Sequence, residues 1–255
     1  MEQLLTTAAS DVLPLTRKLT EILPLSADET SILNGLQSNP RTIKRHRDVI
    51  TEGRNYGSLF VVLDGIAIRY RILRDGRRQI INLVLPGDVI GILGSLFENS
   101  LYSTKALTDI TISAVPFPRL SSLFQTNPRL VAKLLCLFSC ETSVHAEHIV
   151  DLGRRSALER VAHFLLELLY RLRAAGLAEE CSYRIPLTQE LIGDALGLSV
   201  PHVNRVLRQL REDNLVVIEE QRVTIKDHDA LAELADFEPS YLCRFAAREM
   251  LEEAA

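Results

Sequence analysis

Arg205, Arg208 and Arg211 stand three residues apart, behind Ser199, His202 and Asn204, and no acid intervenes before Glu212. Residues three apart share a helix face, and the planar guanidinium meets phosphate or a guanine edge with paired donors. Val203, Val206, Leu207 and Leu210 fall between them at helical spacing. The segment reads as a helix with one buried stripe and one cationic face, which suits a DNA major groove. Helix pairs also occur as plain packing units, and an arginine-rich face also occurs merely solvated, so the neighbouring residues have to decide.

Those neighbours form a frame. Leu191, Ala195 and Leu198 give a preceding short helix its apolar side. Gly197 permits a sharp turn, Ser199 stands where an N-cap belongs, and Pro201 falls in the first turn, where its missing N–H costs little. Leu187 to Arg211 is thus a helix, a tight turn and a second helix. Leu215–Ile218 and Val223–Ile225 then read as strands joined by the polar turn Glu219–Arg222. The result is a winged helix–turn–helix, with Arg222 expected beside flanking phosphates.

The chain has 255 residues, enough for two domains, 47% hydrophobic content and a formal net charge of −4. That balance argues against indiscriminate coating of nucleic acid and for local, salt-sensitive contact. No run approaches the roughly 20 apolar residues of a membrane span. The N-terminal residues lack the basic start and apolar run of a secretory signal. Cys136, Cys140, Cys181 and Cys243 show no paired spacing, and a reduced, cytoplasmic chain is the simplest reading.

Between about Arg41 and Phe117 the chain changes character. Gly53, Gly57, Asp64-Gly65, Asp75-Gly76, Pro86-Gly87-Asp88, Gly91 and Gly94 punctuate short apolar runs such as Leu59–Leu63 and Ile80–Leu85. This pattern predicts an antiparallel sandwich or jelly-roll barrel, with a hairpin at Asp75-Gly76. The predicted fold class is α+β: an N-terminal antiparallel β-roll, a long helix and a C-terminal winged helix–turn–helix. The domain reading is a helical arm over 1–27, the roll over 28–126, the long helix over 127–152, the DNA-binding unit over 153–227 and a helical tail over 228–255. Leu19, Ile22 and Leu23 would pack the arm, while Phe237 and Tyr241 would cover the DNA-binding unit.

The ordered set Ile50-x-x-Gly53, Phe60–Gly65 and Leu85–Gly91, followed by a long helix and the wing motif, resembles the Crp–Fnr family of bacterial transcription regulators over residues 28 to 227. That resemblance implies an effector pocket built from Gly91, Ile92, Leu93, Gly94, Tyr102, Ser103 and Thr104. In cAMP-binding members a glutamate holds the ribose and an arginine the phosphate. Here Ile92 stands at the glutamate position and Tyr102 near the arginine position. A buried phosphate without a cation is costly, so the reading is against cAMP, with Lys105 or Arg77 as substitute cations. Other members hold an iron–sulfur cluster on cysteines near the N-terminus. No cysteine precedes Cys136 here, so no cluster and no other cofactor is expected. The resemblance also aligns Arg205 with the family's guanine-reading arginine. Thr188, Ser199 and His202 match positions that contact phosphate or orient the helix. Val200 and Pro201 replace a usual polar pair and are candidates for a thymine-methyl contact. Asn204, Arg208 and Arg222 complete the expected DNA interface.

From Asn127-Pro128 the long helix runs to Leu152, and Gly153 ends it. Val131, Leu135, Phe138, Thr142, His145, Ile149 and Leu152 step by four and three, a coiled-coil seam that predicts a homodimer. Burial against the chain's own roll is the competing reading. His145 facing its copy would make acid weaken the dimer. Cys140, His145 and His148 have helical spacing for a metal, against plain packing as a small hydrophobe and two histidines. Ser156 is a candidate cap for Ala157–Ala174, whose Val161, Phe164, Leu165, Leu168 and Leu169 would pack inward. No catalytic triad, phosphate loop or carboxylate pair has usable spacing, so no enzyme is expected. The expectation is a homodimeric regulator on palindromic double-stranded DNA, with RNA polymerase as a further partner and no membrane. The rival is a ligand-binding module whose helix–turn–helix docks a protein.

Overall fold

The computed structural model describes residues 12–92 and 98–242. Helices α1 (Pro14–Ile22) and α2 (Ala27–Leu36) precede eight strands: β1 (Pro40–Ile43), β2 (Asp48–Ile50), β3 (Ser58–Asp64), β4 (Ala67–Ile72), β5 (Arg78–Val84), β6 (Val89–Ile90), β7 (Ser103–Ala106) and β8 (Ile110–Pro116). They form two four-stranded antiparallel sheets, ordered β1-β8-β3-β6 and β2-β7-β4-β5. The expected hairpin at Asp75-Gly76 joins β4 to β5, with Gly76 at φ 87°.

Strand parity explains why Leu59–Leu63 is continuously apolar. Phe60 and Val62 point between the sheets with Val49, Ile50, Ala67, Val84 and Ile112. Leu59 and Val61 point the other way, onto Leu15, Leu19, Leu33, Leu123, Leu130 and Leu134 of the flanking helices. Both faces of β3 are covered, so no polar alternation survives. Two of these covering helices, α2 and α3 (Phe117–Thr126), were not foreseen from the sequence. The cap of α2 is a reciprocal Ser26/Glu29 box.

The long helix α4 spans Pro128–Gly153, with Pro128 in its first turn. α5 (Ala157–Ala174) follows, capped by the reciprocal Ser156/Glu159 pair. Val161, Phe164, Leu165, Leu168 and Leu169 are buried, as are His163 and Glu167. α5 is buried nearly all round because it lies between two units. Ile68, Tyr70, Ile80 and Leu83 of the roll share one apolar cluster with α5 and the DNA-binding unit. The expected domain boundary at 153 falls at the break between α4 and α5, and the apolar core runs across it.

β9 (Ser182–Arg184), α6 (Gln189–Leu196), α7 (Val200–Glu212), β10 (Val216–Glu219) and β11 (Arg222–Ile225) form the winged helix–turn–helix, its sheet ordered β10-β11-β9. α8 (His228–Ala235) and a short 3-10 turn (Pro239–Leu242) close the described chain. Phe237 is buried against the His163 and Tyr170 rings, as expected of a cover. Cys136 and Cys181 are free thiols, but Cys140 is disulfide-bonded, which corrects the expectation of a fully reduced chain. No helix among those residues is long and apolar enough to cross a membrane.

Candidate nucleic-acid interface and effector cavity

The helix–turn–helix is set by one left-handed glycine and one close approach. Gly197 ends α6 in the left-handed region at φ 66°, where a Cβ is disfavoured. Gly193 was not singled out from the sequence. A Cβ there would lie 2.5 Å from the Leu198 carbonyl oxygen, inside any allowed contact. Val203, Val206 and Leu210 are buried as expected, and Leu207 partly so.

On the opposite face Asn204, Arg205, Arg208 and Arg211 are exposed, and His202 is half-buried. Among the described residues none of the three arginines makes an ion pair, whereas Arg69, Arg78, Arg155 and Arg171 all do. Ser199 occupies the N-cap position of α7 without capping it through its hydroxyl. Val200 and Pro201 are exposed beside it. Thr188 is committed elsewhere: its hydroxyl accepts the Leu191 N–H at 3.1 Å and caps α6. That role orients the unit and leaves Thr188 less free to meet phosphate.

The wing forms as a two-residue hairpin, with Glu220 at φ 47° and Gln221 at φ 64°. Arg222 departs from expectation. It donates to both Glu179 carboxylate oxygens at 3.0 Å and to the Ser182 hydroxyl at 2.8 Å. Antiparallel pairing with β9 places these groups beside it, so its charge is already answered.

The roll holds the reading unit in place. Arg78 of β5 meets Asp194 of α6 at 2.7 Å and Glu190 at 3.4 Å, and Gln79 donates to the Ala195 carbonyl at 3.0 Å. Behind α6, Arg160 donates to the Leu196 carbonyl at 2.7 Å. Between α4 and α5 lies a buried charge cluster. Glu167 meets His148 at 2.9 Å and Arg171 at 3.1 Å, and Arg171 also donates to the Leu83 carbonyl of the roll. Burial would raise the Glu167 pKa, but His148 and Arg171 beside it hold the carboxyl down to about 2. Burial likewise opposes the His148 charge, yet the Glu167 carboxylate prevails and raises its pKa.

The expected effector pocket is a cavity of about 230 Å³ between the roll and α4. Gly91, Ile92, Tyr102 and Thr104 line it as expected. Ser103 does not: strand alternation turns it away from Thr104, and its hydroxyl accepts the Glu52 N–H at 3.0 Å. Leu93 and Gly94 lie outside the described residues. The cavity's cation is neither Lys105, which is near Asp48, nor Arg77, which pairs with Asp75 on the hairpin. It is Arg69, unforeseen, whose guanidinium meets Glu141 of α4 at 3.0 Å and lies over the Tyr102 ring at 5.3 Å. The signal was a basic residue on the inward parity of a strand, shared with buried Ala67.

The seam residues of α4 divide. Leu135, Thr142, Ile149 and Leu152 are exposed, Ile149 by 71%. Val131 and Phe138 pack onto the chain's own roll. His145 lines the cavity, where burial lowers its pKa, which corrects the picture of a histidine placed only to meet its copy. Among the described residues no cluster of three His, Cys, Asp or Glu side chains could hold a metal. His148 is instead taken by Glu167 and the Ile81 carbonyl.

Comparison with known proteins gives a concordant picture. Residues 40–127 match the model of a cyclic nucleotide-binding domain, and residues 159–234 that of a Crp-like helix–turn–helix domain. The chain is 30% identical over 213 residues to the transcriptional activator protein Anr of Pseudomonas aeruginosa, covering 84% of this chain and 87% of that one. It is 34% identical over 180 residues to the transcriptional activatory protein AadR of Rhodopseudomonas palustris, covering 69% and 73%. Among solved structures, FixK2 from Bradyrhizobium japonicum superposes with a TM-score of 0.69 at 27% identity, covering 77% of this chain and 96% of that one.

Proposed function

The chain belongs to the Crp–Fnr family and is a DNA-binding transcription regulator of that type; we propose that it acts as a homodimer on a palindromic site without control by cAMP. The observation that carries this reading is the exposed arginine face of α7, which makes no ion pair among the described residues and is held outward by the Gly193/Gly197 turn. Arg205 reads a base edge, Arg208 and Ser199 hold the backbone, His202 and Asn204 adjust the helix in the groove, and Val200 and Pro201 meet a thymine methyl. Leu135, Ile149 and Leu152, with Thr142 between them, supply an exposed stripe of nearly heptad spacing for the partner helix. Two-fold symmetry then sets half-sites about 34–36 Å apart.

The pairing of Arg69 with Glu141 supports the case against cAMP, because a phosphate would have to displace a carboxylate already in place. An iron–sulfur cluster does not fit the donors of this chain: no cysteine precedes Cys136, which sits on α4, and Cys181 lies apart from it, just before β9. A contact with RNA polymerase and a cytoplasmic setting follow from the regulator reading, and no catalytic role is assigned.

The test is capture of genomic DNA fragments by the purified full chain, with and without cAMP, over a salt series. Palindromic sites recovered without cAMP, with affinity falling steeply in salt, are the expected outcome. Binding only with cAMP would refute the cavity reading. No site in either condition would favour a module that docks a protein.

A further inference from the structure

The roll cavity is unusual in how its charge is balanced. Arg69 is nearly fully buried and Glu141 is its partner at 3.0 Å, so the one cation among the cavity's described side chains is cancelled within the wall. An entering anion would have to take Arg69 from Glu141 and leave that carboxylate poorly solvated, a costly exchange. The wall also holds Ile50, Val89, Ile92, Phe138 and the Tyr102 ring, beside the hydroxyls of Ser100, Thr104 and Thr142, of which Ser100 donates to the Tyr102 carbonyl and Thr142 to the Phe138 carbonyl. At about 230 Å³ the cavity is larger than the roughly 150 Å³ apolar void that admits benzene. It has room for one ring and a small substituent.

One buried nitrogen of the lining is unsatisfied. His145 Nε2 is buried and has no hydrogen-bond partner among the described residues. Glu141, Arg69, His148 and Arg171 all act on this ring, and burial, the largest influence, disfavours its charged form. A neutral imidazole nitrogen either donates or accepts, according to its tautomer. A group that carries both a donor and an acceptor satisfies it in either form, and its carbonyl can also accept from a spare Arg69 N–H.

Resting on the regulator reading above, we propose that the roll cavity takes a small, uncharged, planar molecule of one ring bearing an amide-like donor and acceptor. The ring lies against Ile50, Val89 and Phe138, and the amide faces His145 and Arg69. The Arg69–Glu141 pair acts as the charge filter that refuses carboxylates and phosphates.

Benzamide and benzoate have the same shape and differ in charge, which makes them the probes. Calorimetric titration and thermal shift on the full-length protein should show saturable benzamide binding, with benzoate at least about tenfold weaker. Glu141→Gln keeps the side-chain size and releases Arg69; benzoate should then gain at least about tenfold and the preference should reverse. His145→Leu should weaken benzamide by about tenfold. Preference of the unaltered protein for benzoate or cAMP, or binding of neither ring, would overturn the proposal, as would Glu141→Gln without a gain for benzoate. DNA binding of the same preparation is measured separately. Its absence would overturn the regulator reading whatever the ring titration shows, and its presence beside an empty titration would overturn the ligand class alone.

Discussion

The arginines of α7 and those around α4 and α5 have the same chemistry and opposite circumstances. Among the described residues Arg205, Arg208 and Arg211 are exposed and make no ion pair, while Arg69, Arg155 and Arg171 are buried or nearly so, each against a carboxylate. An unanswered charge in water costs little and stays available for a polyanion. An answered charge in the interior ties elements together, and removing one partner strands the other. Position along the sequence does not separate the two kinds; the tertiary partner does.

The largest effect that tests this contrast is in the interior. Glu167→Ala leaves Arg171 and His148 buried without their shared carboxylate, and should cost about 3–5 kcal/mol of stability, read by urea denaturation. A loss under about 1 kcal/mol, the scale of exposed pairs, would dissolve the distinction. Next comes the reading helix. Arg205→Ala should leave the melting temperature unchanged, weaken DNA binding by about 1–3 kcal/mol and relax specificity at one base pair. A uniform loss across all sequences would make Arg205 a phosphate contact.

The same cluster sets a pH dependence. The Glu167 pKa is lowered from its usual value to about 2, so its contribution is full above pH 4.5 and disappears as pH falls toward 2. The His148 pKa is raised above 6.5, so its contribution is full below 6.5 and is lost as pH climbs through the raised value. Denaturation midpoints should therefore fall on both sides of a plateau between about pH 4.5 and 6.5. Glu167→Gln should flatten both slopes, and an unaltered profile in that variant would place the titrating groups elsewhere. The smallest effect is in the wing. Arg222 is already held by Glu179, so Arg222→Ala should change DNA affinity by less than about threefold and leave the salt slope intact. A drop as large as that of Arg205→Ala would mean the wing arginine abandons Glu179 for DNA.

Legibility from sequence followed the range of the interactions. The α7 stripe of Val203, Val206 and Leu210 and its arginine face depend on helical periodicity. The Gly197 turn depends on one residue's allowed dihedrals, and the Ser156 cap on a spacing of three. All are local, and all were readable. α2 and α3 escaped because their apolar residues answer to the outer face of β3, far away in sequence. Ser103 was misplaced for want of strand parity, and Arg222 for want of Glu179, forty-three residues earlier.

The sequence by itself determined the family, the order of roll, long helix and winged helix–turn–helix, and the cationic face of α7 proposed to meet DNA. Those features are carried by short-range periodicity, glycine geometry and capping, which each segment encodes alone. Only the tertiary structure decided which arginines are paired in the interior and which are exposed. It also placed Arg69 and His145 in one cavity, and it fused the roll and the reading unit through α5. Coulomb attraction and desolvation act through space, and the residues that answer one another here lie tens of positions apart along the chain.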